Sequence, residues 1–309
     1  MKFGLGLPHL GPLADPDAIR TVAVAAEQAG LSSLWAMDRL LSPIAPRTMG
    51  YPGSVDGRLP AAQDIVLDPI VALTVAATVT DRIGLGTDVL VAPWYPPVLL
   101  ARTLAALDQV SRGRLVAGLG LGWSVDEFDA VGAPMAGRGQ RLEEILDVIW
   151  AVWSDPIVDI ATSHERIAPS AMGLKPAQPS GPPILLAATS GAGLDRIADR
   201  ADGWLPFGIP LDEVAAGWTR IRQRATEQGR DPHRLQLVVR ADPHCHDIRL
   251  GAGRPAFTGT CGQVLDDLDR LRDLDADEVI LDLHETARNV DELLDTALAL
   301  SAPRLAAAA

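Results

Sequence analysis

Short apolar strand segments alternate with helical segments eight times along the 309-residue chain. That alternation predicts a parallel sheet closed into a (β/α)8 barrel. Two further observations agree. No break in composition divides the chain, so residues 1–309 read as one domain, and 48% hydrophobic residues supply a large core. A doubly wound open sheet is the rival arrangement of the same elements.

The units follow in order. "KFGLGLP" reads as a strand, and "DPDAIRTVAVAAEQAG" as a helix with Asp15 as cap, Pro16 in the first turn and Gly30 as stop. "LSSLWAMD" is the second strand. A Pro/Gly-rich segment, 42–67, comes before the helix "DPIVALTVAATVT". "RIGLGTDVLV" is the third strand, followed by the helix "PPVLLARTLAALDQVS". "RLVAGLGLG" is the fourth, followed by "GRGQRLEEILDVIWAVWS". Residues 155–183 read as an irregular insertion. Then come "ILLAA" with "GAGLDRIADRA", "DGWLPF" with "LDEVAAGWTRIRQRATEQG", and "RLQLVVRAD" with "TCGQVLDDLDRLRDLD". In the last helix Thr260 and Gln263 fit a capping box. "EVILDL" and "NVDELLDTALALS" form the eighth unit.

Composition excludes several functions. A net charge of −13 does not suit nucleic acid or an anionic membrane surface. No apolar run reaches transmembrane length, and the N-terminus lacks the apolar core of a signal peptide. Two cysteines, Cys245 and Cys261, suggest no disulfide framework, and a reducing cytoplasm is the expected location. The patterns of serine and cysteine nucleophiles and of P-loops are missing. "HCH", His244 to His246, offers two ligand histidines without a third, so no metal is expected.

The third and fourth strands and the first share an alternation of glycine with bulky residues. Gly4 and Gly6, Gly84 and Gly86, and Gly118, Gly120 and Gly122 each leave one strand face bare. The outer face of a barrel strand must pack helices, so the glycines are expected to face the lumen. Either large side chains from other strands fill that space, or a planar ligand lies against the bare backbone.

Active sites of such barrels sit at the C-terminal strand ends. Those ends read Pro8-His9, Asp38-Arg39, Thr87-Asp88, Trp123-Ser124, Thr189-Ser190, Phe207-Gly208, Arg240 to Asp242 and His284-Glu285. "TSGAG" opens a helix, and its amides suit a phosphate.

Taken together, "MKFGLGLP", "AAEQAGLSSLWAMDRLL", "YPGSVDGRLP", "DPIVALTVAATVTDRIGLGTDVLV", "LARTLAALDQVSRGRLVAGLGLGW", "RLEEILDVIWAVW", "ADGWLPF" and "FTGTCGQVLDDLDRL" resemble the bacterial-luciferase-like oxidoreductases. The nearest likeness is to their actinobacterial branch that uses the deazaflavin coenzyme F420. The resemblance spans nearly the whole chain. It implies a luciferase-like barrel that binds F420, or alternatively FMN, at the strand ends. It further implies a non-proline cis peptide at Asp88–Val89, cofactor contacts from Thr87, Asp88, Val89, Gly122, Trp123 and Asp126, and a phosphate loop at Ala188, Thr189, Ser190 and Gly191. Relatives often form homodimers, and the helices after strands two and three are candidate surfaces for that, though they serve equally as barrel-packing helices.

One departure matters. Many deazaflavin members carry Asp-His where this chain has Asp38-Arg39. Arginine does not titrate near neutrality. Asp38 and Arg39 are the candidate catalytic residues, with Arg39 expected to stabilise an anionic reduced ring or an acidic substrate. His9, Arg240 and His244 are expected to meet a small organic substrate. Arg39, Arg47 and Arg58 would make a basic mouth for the acidic tail of F420, and the segment 42–67 would act as a lid. The expected activity is hydride transfer between deazaflavin and substrate. The alternatives are an FMN monooxygenase using oxygen and a barrel that binds cofactor without catalysis. Arg39→Ala is expected to weaken turnover far more than folding.

Overall fold

The computed structural model describes residues 1–48, 50–51 and 58–305. Among them eight parallel strands close into a ring: β1 (Lys2–Gly6), β2 (Ser33–Ala36), β3 (Gly84–Thr87), β4 (Leu115–Gly120), β5 (Ile184–Leu186), β6 (Gly203–Trp204), β7 (Gln236–Ala241) and β8 (Glu278–Leu281). Each pairs in parallel with the next, and β1 pairs with β8. The barrel is therefore closed, and the open sheet is excluded. The helices between the strands are α1 (Pro16–Ala29), α2 (Pro69–Val79), α3 (Pro97–Ser111), α4 (Arg138–Ser154), α5 (Gly191–Arg200), α6 (Leu211–Glu227), α7 (Cys261–Asp273) and α8 (Val290–Leu305). None of the described helices is long and apolar enough to cross a membrane.

Local chemistry fixes the ends. The Asp15 carboxylate accepts the amides of Asp17 and Ala18, each at 2.9 Å, and Gly30 closes α1 in the left-handed region at φ 84°. Thr260 and Gln263 form the reciprocal capping box of α7. The segment 155–183 departs from the expected irregular insertion. Ile157–Ala161 and Arg166–Ala171 pair as an antiparallel hairpin, with a register shift between Val158 and Ile160. The pair is mostly exposed, and only Val158, Ile160 and Ile167 turn an apolar face to the core, too short an alternation to mark the strands in sequence.

Two apolar shells surround the strands. Phe3, Leu5, Leu34, Leu85, Leu115 and Leu119 pack outward against the helices in one continuous cluster. Trp35, Leu185, Leu205, Val238 and Ile280 fill the lumen, with Val89 and Val116. The glycines of β1, β3 and β4 do face inward, but the space they leave is occupied by protein. A methyl group on Gly86 would fall inside the Trp35 ring, and one on Gly4 would lie 2.7 Å from Trp35 Nε1. On Gly118 it would strike the Thr87 carbonyl, and on Gly120 it would meet Val89 Cγ2 at 2.6 Å. Side chains of neighbouring strands thus fill the bare faces, and the flat-ligand reading of the ladder does not hold. Gly122 leaves the pattern: β4 ends at Gly120, and Gly122 turns at φ 68° against Val91 and Phe128.

Candidate active site

Trp35 fills the lumen with Leu185, Leu205, Val238 and Ile280, and the site is built above it. The first element there is a bulge after β3. The Asp88–Val89 peptide is cis, and Leu90–Val91 then resumes pairing with β4. Asp38, at the end of β2, braces this bulge. Its carboxylate accepts the Tyr95 hydroxyl at 2.7 Å and the Val91 amide at 3.3 Å, and its own amide donates to the Val89 carbonyl at 3.2 Å. Burial pushes Asp38 up to about 6, against the pull of the Tyr95 and Val91 hydrogen bonds. Thr87 is fully buried and donates to the Gly118 carbonyl at 2.7 Å.

Arg39 turns the other way. Its guanidinium pairs with Glu127 at 2.5 Å, and Glu127 also accepts the Leu40 amide at 2.9 Å. Both side chains are buried, at 4% and 1% exposure. Arg39 is therefore already neutralised, which removes the expected role of a spare cation facing an anionic ring. Its guanidinium lies 5.4 Å from the Trp123 ring centre and 5.9 Å from that of Tyr51. Tyr51, from the segment after β2, is buried between Trp123 and Phe207, with ring centres 5.7 and 6.1 Å away. Its hydroxyl takes the Gln63 amide at 2.7 Å. Glu127 and Tyr51 escaped the sequence reading because their partners lie far away along the chain.

The opposite side of the mouth holds Arg240, at the end of β7, under the Phe207 ring at 4.3 Å. Three carboxylates surround it: Asp282 at 2.7 Å, Asp242 at 3.0 Å and Asp88 at 4.0 Å. Asp282 also holds Nδ1 of His284, whose Nε2 faces the Leu7 carbonyl. Both of these partners can only accept, so His284 carries both ring protons and is an imidazolium. Burial and the crowd of acids push Asp88 and Asp242 up to about 7 each, while the Arg240 and His284 cations hold Asp282 well below the usual carboxylate range despite its burial. The alternation Asp282-x-His284 put both on one strand face, a signal readable in the sequence.

His9 is not available to a substrate. It is 1% exposed, donates from Nδ1 to the Leu7 carbonyl at 2.8 Å and accepts the Met37 amide on Nε2 at 3.0 Å. Burial and the neighbouring His284 charge lower it to about 4, so it is neutral near pH 7. Asp126, expected to line the cofactor, is engaged by Arg47 through its backbone amide at 2.9 Å and its Nε at 2.7 Å. Arg47 also reaches Asp129 at 2.6 Å. These bonds tie the segment after β2 to the short helix Val125–Ala130, and Arg39 and Arg47, both expected at a basic mouth, are paired with carboxylates. His244 lies 3.8 Å from Glu285, and the described residues contain no cluster able to hold a metal.

The expected phosphate loop opens α5. Ser190 is the cap, its hydroxyl accepting the Gly193 amide at 3.2 Å; Thr189 and Ser190 are exposed, and the Ala188 carbonyl accepts the Trp204 indole N–H at 2.9 Å. A methyl on Gly193 would come within 2.5 Å of the Ala188 side chain, so this turn requires glycine for close approach. A cleft of about 1400 Å³ opens across the ends of β6, β7 and β8, lined by Tyr51, Phe207, Arg240, Asp242, His244 and Glu285. Arg58 and Arg249 also line it.

Comparison with known proteins gives these arrangements a context. The family model described as luciferase-like monooxygenase matches residues 1–279. An uncharacterized protein of Mycobacterium tuberculosis is 33% identical over 191 residues, which cover 61% of this chain and 67% of that protein. The 4-hydroxyprotoasukamycin monooxygenase of Streptomyces nodosus subsp. asukaensis is 29% identical over 192 residues, 60% of this chain and 52% of that enzyme. Among solved structures, the monooxygenase RslO1 of Streptomyces bottropensis superposes with a TM-score of 0.81 at 21% identity, covering 100% of both chains. The coenzyme F420-dependent tetrahydromethanopterin reductase of Methanopyrus kandleri gives a TM-score of 0.73 at 17% identity, covering 96% of both chains. With the family model matching most of its length, this chain belongs to the luciferase-like monooxygenase family and is an oxidoreductase of that group.

Proposed function

We propose that the chain binds coenzyme F420 at the barrel mouth and transfers hydride between the deazaflavin and a small organic substrate. The observation that carries this reading is the cleft of about 1400 Å³, with Arg58 and Arg249 on its lining in a chain of net charge −13. Such local cations suit the acidic tail of F420, which FMN lacks. When bound, the deazaflavin supplies the two-electron hydride chemistry. The protein binds, orients and excludes water. Phe207 and Tyr51 on the cleft lining flank the ring, Trp123 stands behind Tyr51, and the bulge at Thr87, Asp88 and Val89, which does not itself line the cleft, supports the site from below. The exposed first turn at Thr189, Ser190 and Gly191, with the Ala188 backbone, receives the phosphate. Tyr51 caps the mouth and leaves or shifts as ligand enters. Asp38 fixes the bulge, and the Arg39–Glu127 pair forms a neutral wall beneath Trp123. Arg240 and His244 face the substrate. A homodimer through α2 and α3 accompanies this reading, since Val71 and Leu99 there are 59% and 46% exposed.

The test is a side-by-side equilibrium titration of the purified protein with F420 and FMN, followed by ligand fluorescence. The expected result is F420 binding at least tenfold tighter, weakened by Arg249→Ala and by added salt. Tight FMN binding without F420 binding would replace hydride transfer by flavin chemistry. F420 binding without turnover on ketones, imines and enones would point to a carrier barrel.

A further inference from the structure

The Arg240 cluster holds fewer positive charges than acids. Its cations are Arg240 and the His284 imidazolium, and its acids are Asp88, Asp242 and Asp282. Two cations face three carboxylates, at a buried site where an uncompensated charge is costly. One proton on one carboxyl restores neutrality. Asp282 is excluded, since it accepts from both Arg240 and His284. Asp88, whose buried Oδ2 has no hydrogen-bond partner, and Asp242, which accepts from Arg240 Nε at 3.0 Å and Nη2 at 3.4 Å, share that proton between them, but Asp88 does not line the cleft. Asp242 does line it, with its side chain 21% exposed.

We infer that Asp242 is the acid–base residue of this enzyme, exchanging a proton with the substrate in the cleft while Arg240, Asp282 and His284 hold it in place. The inference rests on the hydride-transfer reading and supplies the group that Arg39 cannot. In the reducing direction, a bound reduced deazaflavin would supply the hydride that forms a C–H bond at the carbon of a C=O or C=N group. The π electron pair moves to the heteroatom, which takes the Asp242 proton. Substrate is reduced by two electrons, the cofactor is oxidised by two, and Asp242 is left as carboxylate. The reverse reaction returns the proton to it.

The surroundings suit a group that titrates near neutrality. Burial raises Asp242 to about 7, Arg240 lowers it, and Asp282 and Glu285 raise it again. His244 stands 3.8 Å from Glu285 at the same edge, and Tyr51 faces the cluster from the segment after β2. Tyr51 is itself raised by burial and stays neutral there. A carboxylic acid poised near the working pH is the state that general acid–base catalysis favours.

Two measurements decide the matter. In cofactor-free protein labelled with ¹³C-aspartate, the Asp242 carboxyl resonance, assigned by its loss in Asp242→Asn, is expected to titrate near pH 7. Titration below pH 5 would overturn the inference. With F420 and a substrate that turns over, Asp242→Asn is expected to lower kcat by about 100-fold or more with little change in KM, and to remove the neutral limb of the pH profile. Asp242→Glu should keep part of the rate and a shifted limb. An unchanged profile in Asp242→Asn would overturn the inference even if the resonance titrates at neutrality. If the wild type turns nothing over with F420, the cofactor reading fails while the resonance still tests the cluster.

Discussion

Two arginines are buried on opposite sides of the barrel mouth, and their surroundings differ. Arg39 faces one carboxylate, Glu127, at 2.5 Å, in a closed pair beside Trp123 and Tyr51. Arg240 faces three, with His284 as the other cation paired within the cluster among the described residues. The first pair is balanced and has no reason to change protonation. The second is one positive charge short and must bind a proton to be neutral. Burial is the largest cause raising the acids at both sites, and the surplus of carboxylates around Arg240 adds to it at the second.

The sharpest break of that comparison is Glu127→Gln. It leaves the Arg39 cation buried without its counter-ion and is expected to cost about 3–5 kcal/mol in denaturant unfolding. Arg39→Ala should cost a comparable amount by stranding Glu127, so a loss of activity in that variant would report folding as much as chemistry. Replacing both by apolar residues of similar volume should recover most of the loss. Asp282→Asn is expected to cost less, about 1.5–3 kcal/mol, because Asp88 and Asp242 still face Arg240. The same change should lower the His284 pKa, read from its ring resonances, since Asp282 is what raises it. The smallest effect is that of Tyr51→Phe, which removes one hydrogen bond to Gln63 and should cost about 1 kcal/mol or less. It should leave the ring contacts with Trp123 and Phe207 and hence the cap itself.

Much of the fold was legible in the sequence because it rests on local signals. Caps at Asp15 and Thr260, the left-handed Gly30 and the eight strand–helix alternations each leave a mark within a few residues. The hairpin at 157–171 leaves little, because only Val158, Ile160 and Ile167 of its two strands face the core. The glycine ladder was legible in direction but not in meaning. Alternation says which face is bare, whereas the filler, Trp35, comes from a neighbouring strand. The site was legible where residues lie at strand ends: Asp38, Asp88, Arg240 and Asp242 all stand at the mouth. Pairings such as Arg39 with Glu127, 88 residues apart, arise from the closure of the barrel and have no local signature. Arg39 therefore looked free, His9 looked exposed and Asp126 looked available, and closure reversed all three.

The central claim is that the Arg240 cluster, one positive charge short, holds a proton near neutrality, whereas the Arg39–Glu127 pair is balanced without one. Its most direct test is the stability of the wild type and of Asp242→Asn, measured by urea unfolding from pH 5 to pH 8. Asp242 titrates at about 7 in the folded chain and at an ordinary value of 3.8 when unfolded, so between those values the folded state binds the extra proton. Its contribution to wild-type stability must fall as pH rises through that window. The substitution also removes a charge that raises Asp88, so the difference between the two proteins reports the Arg240 cluster as a coupled unit. Asp242→Asn should gain on the wild type steadily from pH 5 to about 7 and then level off. A difference that stays constant across that range, or that runs the other way, would contradict the claim.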